Sequence, residues 1–96
     1  MRIIARRTLR SFWQKHADAE QPLRAWFKFA SSADWISPAS IKRDYSSASI
    51  LEDGRVCFNI GGNKYRLIAR VRYDYQLVNI RQILTHADYD AGHWKE

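Results

Sequence analysis

The sequence predicts an α+β domain, with two N-terminal helices packed on an antiparallel β-sheet meander and a short C-terminal helix. Three observations carry this expectation. Leu9, Phe12, Trp13 and His16 fall at i, i+3, i+4 and i+7, and Leu23, Trp26, Phe27 and Ala30 repeat the spacing, so two successive segments each put an apolar stripe on one helical face. Residues 55–60, 64–73 and 76–84 form three runs with the two-residue alternation of strands. Thr85 stands three residues before Asp88, a capping pattern that opens a last helix.

Taken in order, residues 2–5 are a short β-favouring run that leads into the first helix, 7–16. Its basic, acid-free start, MRIIARRTLR, has the composition of a transit peptide, yet it reads as part of the fold. Asp18 or Gln21 is expected to cap the second helix, with Pro22 in its first turn, where proline is best tolerated. The segment SSADWISPASIKRDYSSASI is rich in Ser, Asp and Pro and lacks sustained periodicity. It reads as a connection with a helical turn near 38–42. Gly61-Gly62-Asn63 and Asp74-Tyr75 then supply the turns that join the three strands.

The chain has 96 residues, which fits one domain, 1–96, with one modest core. Its formal charge of +6 points to polyanionic partners: nucleic acid, an acidic membrane surface or an acidic protein. Cys57 is the single cysteine, which excludes an internal disulfide framework and a Cys-based zinc site and suits a reducing cytoplasm. Its place in an apolar strand favours plain packing. No apolar run approaches the ~20 residues of a transmembrane helix, so no membrane role is expected.

Alternation sorts the strands into two faces. Val56, Phe58, Ile60, Tyr65, Leu67, Ala69, Val71, Tyr73, Val78, Ile80 and Leu84 should face the helices. Arg55, Cys57, Asn59, Lys64, Arg66, Ile68, Arg70, Arg72, Leu77, Asn79, Arg81 and Ile83 should face away. That second face gathers six cations and no acid, which solubility alone does not require. A merely solvated face, or one covered by an acidic protein, would look the same. Arginine's planar fork fits phosphate oxygens and stacks on bases, which favours a phosphate-binding surface. Arg55, Asn63, Arg70, Arg72 and Arg81 are therefore candidate RNA-binding residues, with Tyr75 and Tyr89 available for stacking.

The stretch RVCFNIGGNKYRLIARVRYDYQLVNIRQILTHADYDAGHW resembles the HigB-type branch of the RelE-like toxins of type II toxin–antitoxin systems. The GGNKYRLI and THADYD pieces at this spacing carry the resemblance. It implies a RelE-like fold and an mRNA interferase, an endoribonuclease that cuts translated mRNA in the ribosomal A site and so arrests translation and growth. It implies a cognate antitoxin, acidic or DNA-binding, with operator DNA contacted through that antitoxin, and a cytoplasmic location. The antitoxin is expected to cover the basic face or to hold the last helix away from it.

Metal-free RNA cleavage uses the ribose 2′-hydroxyl as nucleophile, and needs a base near it, an acid near the leaving oxygen and cations for the developing charge. The sequence offers no carboxylate cluster or His pair at metal-ligand spacing, so neither metal nor cofactor is expected. Lys64 and Arg66 are the candidate phosphate clamp, and the resemblance matches Arg66 in KYRLI most firmly. His86 would sit in the first turn of the last helix, where the helix N-terminus and nearby arginines favour a neutral ring able to accept a proton. It also reads as an ordinary polar residue after a cap. Tyr89, three residues on, shares its helical face and could stack on the reacting nucleotide or donate a proton. His16 and His93 read as boundary and surface residues. A non-catalytic RNA- or DNA-binding module, or an adaptor for an acidic protein, would use the same basic face without chemistry.

Overall fold

In the computed structural model, which describes residues 1–95, the apolar stripes become α1 (Arg6–Lys15) and α2 (Glu20–Ser32), joined by a 3-10 turn at Ala17–Ala19. Leu9, Leu23, Trp26 and Ala30 press from these helices onto Val56, Phe58, Leu67, Ala69, Val71 and Val78 of the sheet. Phe58 meets Trp26 and Tyr45 edge-on and stacks with Trp35. Burying side chains of this size contributes ~1.5–3 kcal/mol each. Neither Asp18 nor Gln21 caps α2. Its N-cap is Ala19, with no side-chain bond, because the Asp18 carboxylate is engaged by Lys64 and Tyr65 instead.

The connecting segment holds more structure than its composition signals. Ser37 and Ser40 form a reciprocal capping box that opens α3 (Pro38–Asp44), longer than the single turn expected. After it, β2 (Ser49–Ile50) adds to the edge of the sheet. A two-residue strand has no readable period, so alternation could not find it.

β3 (Arg55–Ile60), β4 (Tyr65–Arg72) and β5 (Leu77–Thr85) form the antiparallel meander, and the tight β3–β4 turn needs the positive φ of Gly61 and Gly62. The sheet as a whole is mixed, not antiparallel. β1 (Arg2–Ile4) lies parallel to β5, giving the order β1-β5-β4-β3-β2. Nothing local to residues 2–4 encodes that long-range pairing.

One face assignment is overturned. The β4–β5 register shifts between Ile68 and Ala69: Ala69 pairs with Ile80 and Ile68 with Gln82, which leaves Arg81 as the extra residue. A bulge of one residue inverts the alternation beyond it. Ile83 therefore pairs with Leu67 and packs on the main core, while Leu84 pairs with Arg66 and joins the opposite face.

That opposite face is not the bare basic surface expected. α4 (His86–Ala91) and a 3-10 turn (His93–Lys95) fold back over it. Trp94 packs with Cys57 and Ile68 in a small second cluster, with Leu51, Leu84 and Tyr89 at its margin. The cationic row Arg55–Arg70–Asn79 lies on one side of this roof, and the row Asn59–Arg66–Leu84 on the other.

Candidate functional site

Arg66 occupies the second row and is 8% exposed. A buried cation is costly unless its donors are matched. Here Nη1 donates to the carbonyls of Asn63 at 3.0 Å and Tyr65 at 3.3 Å, and Nη2 lies 3.1 Å from His86 Nδ1. Among the described residues no carboxylate forms an ion pair with Arg66. The β3–β4 turn thus holds the guanidinium with neutral acceptors and leaves its charge uncompensated.

His86 is delivered to this guanidinium by the end of β5. The Thr85 hydroxyl accepts from Asp88 N–H at 3.1 Å and starts α4, and His86 N–H donates to the Lys64 carbonyl at 2.9 Å. On the ring, Nε2 lies 2.9 Å from Asp90 Oδ2, while Nδ1 is 3.1 Å from Arg66 Nη2 and 3.0 Å from the Asn63 carbonyl. One nitrogen cannot both accept from Arg66 and donate to Asn63. A neutral ring that gives its Nε2–H to Asp90 leaves the Nδ1 lone pair to Arg66. A protonated ring would donate Nδ1–H to Asn63 and face the guanidinium as a like charge. The site therefore has two hydrogen-bonding arrangements, and both keep a proton on Nε2.

Tyr89 lies half-buried beneath the pair. The Arg66 guanidinium sits over its ring, 5.4 Å from the centroid, and Trp94 stacks on it at 4.9 Å and 11°. Rings that close leave no room for a base between Tyr89 and Trp94. Burial, with Cys57 as a neighbour, pushes the Tyr89 phenol above its usual range. Burial likewise raises the Cys57 thiol, in keeping with a packing role.

Arg66, His86, Tyr89 and the Asn63 backbone thus converge. Other candidates do not join them. The Lys64 ammonium ion-pairs with Asp18 at 2.6 Å, so an acid does belong to the set of cations expected to have none. Hydrogen bonds from Lys64 and then Tyr65 hold the Asp18 carboxyl below the ordinary carboxylate range. Arg55 and Arg70 are cross-strand neighbours four positions along β4 from Arg66, about 13 Å at 3.3 Å per residue. Arg72 lies farther along and reaches Asp74 at 3.5 Å, with its guanidinium over the exposed Tyr75. Arg81 is exposed in the bulge.

Two participants were missed by sequence reasoning. Asp90 was discoverable, since it stands four residues after His86 on a predicted helix. Trp94 had a fainter signal, an aromatic just beyond Gly92, whose left-handed conformation ends α4. Among the described residues no three His, Cys, Asp or Glu side chains gather to hold a metal ion.

The family model described as HigB_toxin, RelE-like toxic component of a toxin-antitoxin system, matches residues 19–92. The mRNA interferase toxin HigB of Escherichia coli (strain K12) is 28% identical over 92 residues, covering 94% of this chain and 88% of that protein. The mRNA interferase HigB of Escherichia coli O157:H7 and that of Shigella flexneri match to the same extent.

Proposed function

This chain belongs to the HigB family of RelE-like toxic components of toxin–antitoxin systems, and from that premise we propose that it is an endoribonuclease that cleaves mRNA by attack of the substrate's own 2′-hydroxyl. The observation that carries the reading is the Arg66–His86 contact: a buried, uncompensated guanidinium held against an imidazole. A scissile phosphate is the natural counter-charge for Arg66, whose fork can grip two of its oxygens.

Engagement of the phosphate draws Nη2 away from His86 Nδ1 and exposes that lone pair where a proton must be taken. The 2′-oxygen then bonds to phosphorus as its proton passes to Nδ1. The bond from phosphorus to the 5′-oxygen breaks, and that oxygen takes a proton from solvent. Arg66 stabilises the charge on the phosphoryl oxygens throughout. Asp90 keeps the other ring proton on Nε2, so Nδ1 is the working nitrogen. Tyr89 and Trp94 support the guanidinium from below. Lys64 stays on Asp18 in this scheme and takes no proton. The cations Arg55, Arg70, Arg72 and Arg81, set apart from His86, track the RNA backbone and carry no chemistry.

The reaction needs no metal in this reading, because Arg66 stabilises the phosphoryl charge and His86 takes the proton. The substrate is proposed to be mRNA in the A site of a translating ribosome, in the cytoplasm, and the cognate antitoxin to neutralise the toxin and contact operator DNA. Inducible expression followed by primer extension on cellular transcripts tests the proposal. Growth arrest with discrete cuts is expected from the wild-type chain and neither from Arg66→Gln. Salt-sensitive RNA binding without any cuts would select a non-catalytic module.

A further inference from the structure

Beyond the Trp94 roof, on the side away from Arg66, a cavity of about 400 Å³ opens between β2, the Glu52–Gly54 turn and the turn that carries Trp94. Ile50, Leu51, Glu52, Arg55, Trp94 and Lys95 line it. The loop that presents Glu52 is closed on itself. Leu51 N–H donates to the Arg55 carbonyl at 2.8 Å, and Gly54 supplies the left-handed backbone that the tight turn needs.

The lining combines unlike chemistries. Ile50, 43% exposed, and Leu51 form an apolar wall, and the Trp94 indole closes the cavity toward the second cluster. Arg55 donates through Nε to the Glu52 carbonyl at 3.3 Å, which leaves its two Nη groups for a ligand. Its guanidinium carbon lies 5.9 Å from the Trp94 centroid, and Lys95 Nζ lies 5.5 Å from the same ring. Among the described residues neither cation forms an ion pair, and neither does the Glu52 carboxylate. Asp53 shares the turn but is exposed outside the lining.

Size and charge select the occupant. The volume falls at the lower end of the ~300–1,000 Å³ of small-ligand sites. A bare phosphate would meet Glu52 as a like charge and gain nothing from Ile50 and Leu51. A planar base gains from the apolar wall, and guanine also fits both polar groups. Its O6 and N7 accept from an arginine fork, while its adjacent N1–H and N2–H groups suit the two oxygens of a carboxylate. Adenine and cytosine offer a carboxylate only their amino group, and uracil a single N–H.

We propose that this cavity is a guanine-reading subsite, in which Glu52 accepts from N1–H and N2–H, Arg55 donates to O6 and N7, and Arg70 and Lys95 hold the flanking phosphates. The inference rests on the RNA-cleaving reading above and adds what selects the cut. The subsite stands four positions along β4 from Arg66, about 13 Å at 3.3 Å per residue. The guanine it reads therefore lies at a short, fixed offset from the scissile phosphate.

Fluorescence anisotropy with labelled oligouridines that carry one guanosine, inosine, adenosine or cytidine tests the subsite on the folded chain without requiring cleavage. The guanosine oligomer should bind about tenfold tighter than the adenosine, cytidine and all-uridine ones, in line with a bidentate base contact. Inosine lacks the 2-amino group and should lose most of that gain. Glu52→Gln replaces one acceptor oxygen with an amide donor, which opposes guanine's N–H groups but matches N1 and N6–H of adenine. It should move the preference from guanine to adenine, and because Glu52 is exposed the variant should melt as wild type does. Equal affinity for all the oligomers overturns the proposal, and so does a guanine preference that survives in Glu52→Gln. Sequencing of RNA ends after expression separates this inference from the reading beneath it. Wild-type cuts should carry guanine at one fixed offset, and Glu52→Gln should lose that bias. Cuts without the bias overturn the subsite, whereas guanine-selective binding with no cuts overturns the nuclease reading and leaves the subsite standing.

Discussion

At the scale of single residues, Arg66 is buried in the fold and is also the proposed phosphate clamp, and that decides how it can be tested. A cation on the outer face of a strand ordinarily tolerates charge reversal, yet Arg66 is 8% exposed and bonded to carbonyl oxygens. A glutamate there would be buried among acceptors. Arg66→Gln is the cleaner variant, and it should fold and fail to cleave. His86→Gln should keep RNA association while slowing cleavage ~10²–10⁴-fold, the usual worth of a positioned acid or base, measured as single-turnover rates at saturating toxin. Tyr89 separates two roles. If its ring supports the guanidinium, Tyr89→Phe retains most activity and Tyr89→Ala loses it; equal loss in both would make the phenol a proton donor. Period two placed Arg66 on the outer face and period 3.6 put His86 and Tyr89 on one helical face, while the family resemblance singled out Arg66 among the cations. The Lys64–Asp18 pair was not legible, since it joins residues 46 apart in sequence, and no local pattern spans that distance.

At the scale of elements, the proposed chemistry depends most on α4, which is short and little buried. It has six residues and buries none of its own side chains completely. Its start rests on the Thr85 hydroxyl, so Thr85→Ala should cost ~1 kcal/mol locally. Faster amide exchange across 86–91 and a reduced cleavage rate should appear together, with little change in global melting. A rate unchanged by a frayed α4 would detach His86 from catalysis. Asp18 tethers the helical layer to the β3–β4 turn in a pH-dependent way. Its carboxyl is held down by Lys64 and Tyr65, so the contribution is present above its unfolded value of ~3.9 and is lost as pH falls through the lower folded value. The raised Lys64 contribution is lost only as pH rises through its folded value. The melting difference between wild type and Asp18→Asn should therefore persist near neutrality and shrink towards zero in acid. Elements with a readable period were found in the sequence. The two-residue β2, the parallel docking of β1 and the bulge at Arg81 depend on pairing between distant segments, and the bulge alone accounts for the exchange of Ile83 and Leu84.

At the scale of the whole molecule, residues 1–32, most of them in the helical layer, hold seven Lys and Arg against two acids and so carry +5 of the net +6. The far side of the sheet carries a small, partly roofed corner where Arg66 meets His86. Strand alternation rightly put cations on the outer sheet face, but it could not show that Trp94 covers the middle of that face. The central claim is that the RNA's own 2′-hydroxyl attacks at the Arg66–His86 corner, and the ends of the cleaved RNA test it most directly. Products from purified toxin acting on mRNA-programmed ribosomes should carry a 2′,3′-cyclic phosphate or 3′-phosphate upstream and a 5′-hydroxyl downstream, which a polynucleotide kinase labels without prior phosphatase treatment. A 5′-phosphate on the downstream fragment would mean that water is the nucleophile, and would contradict the account.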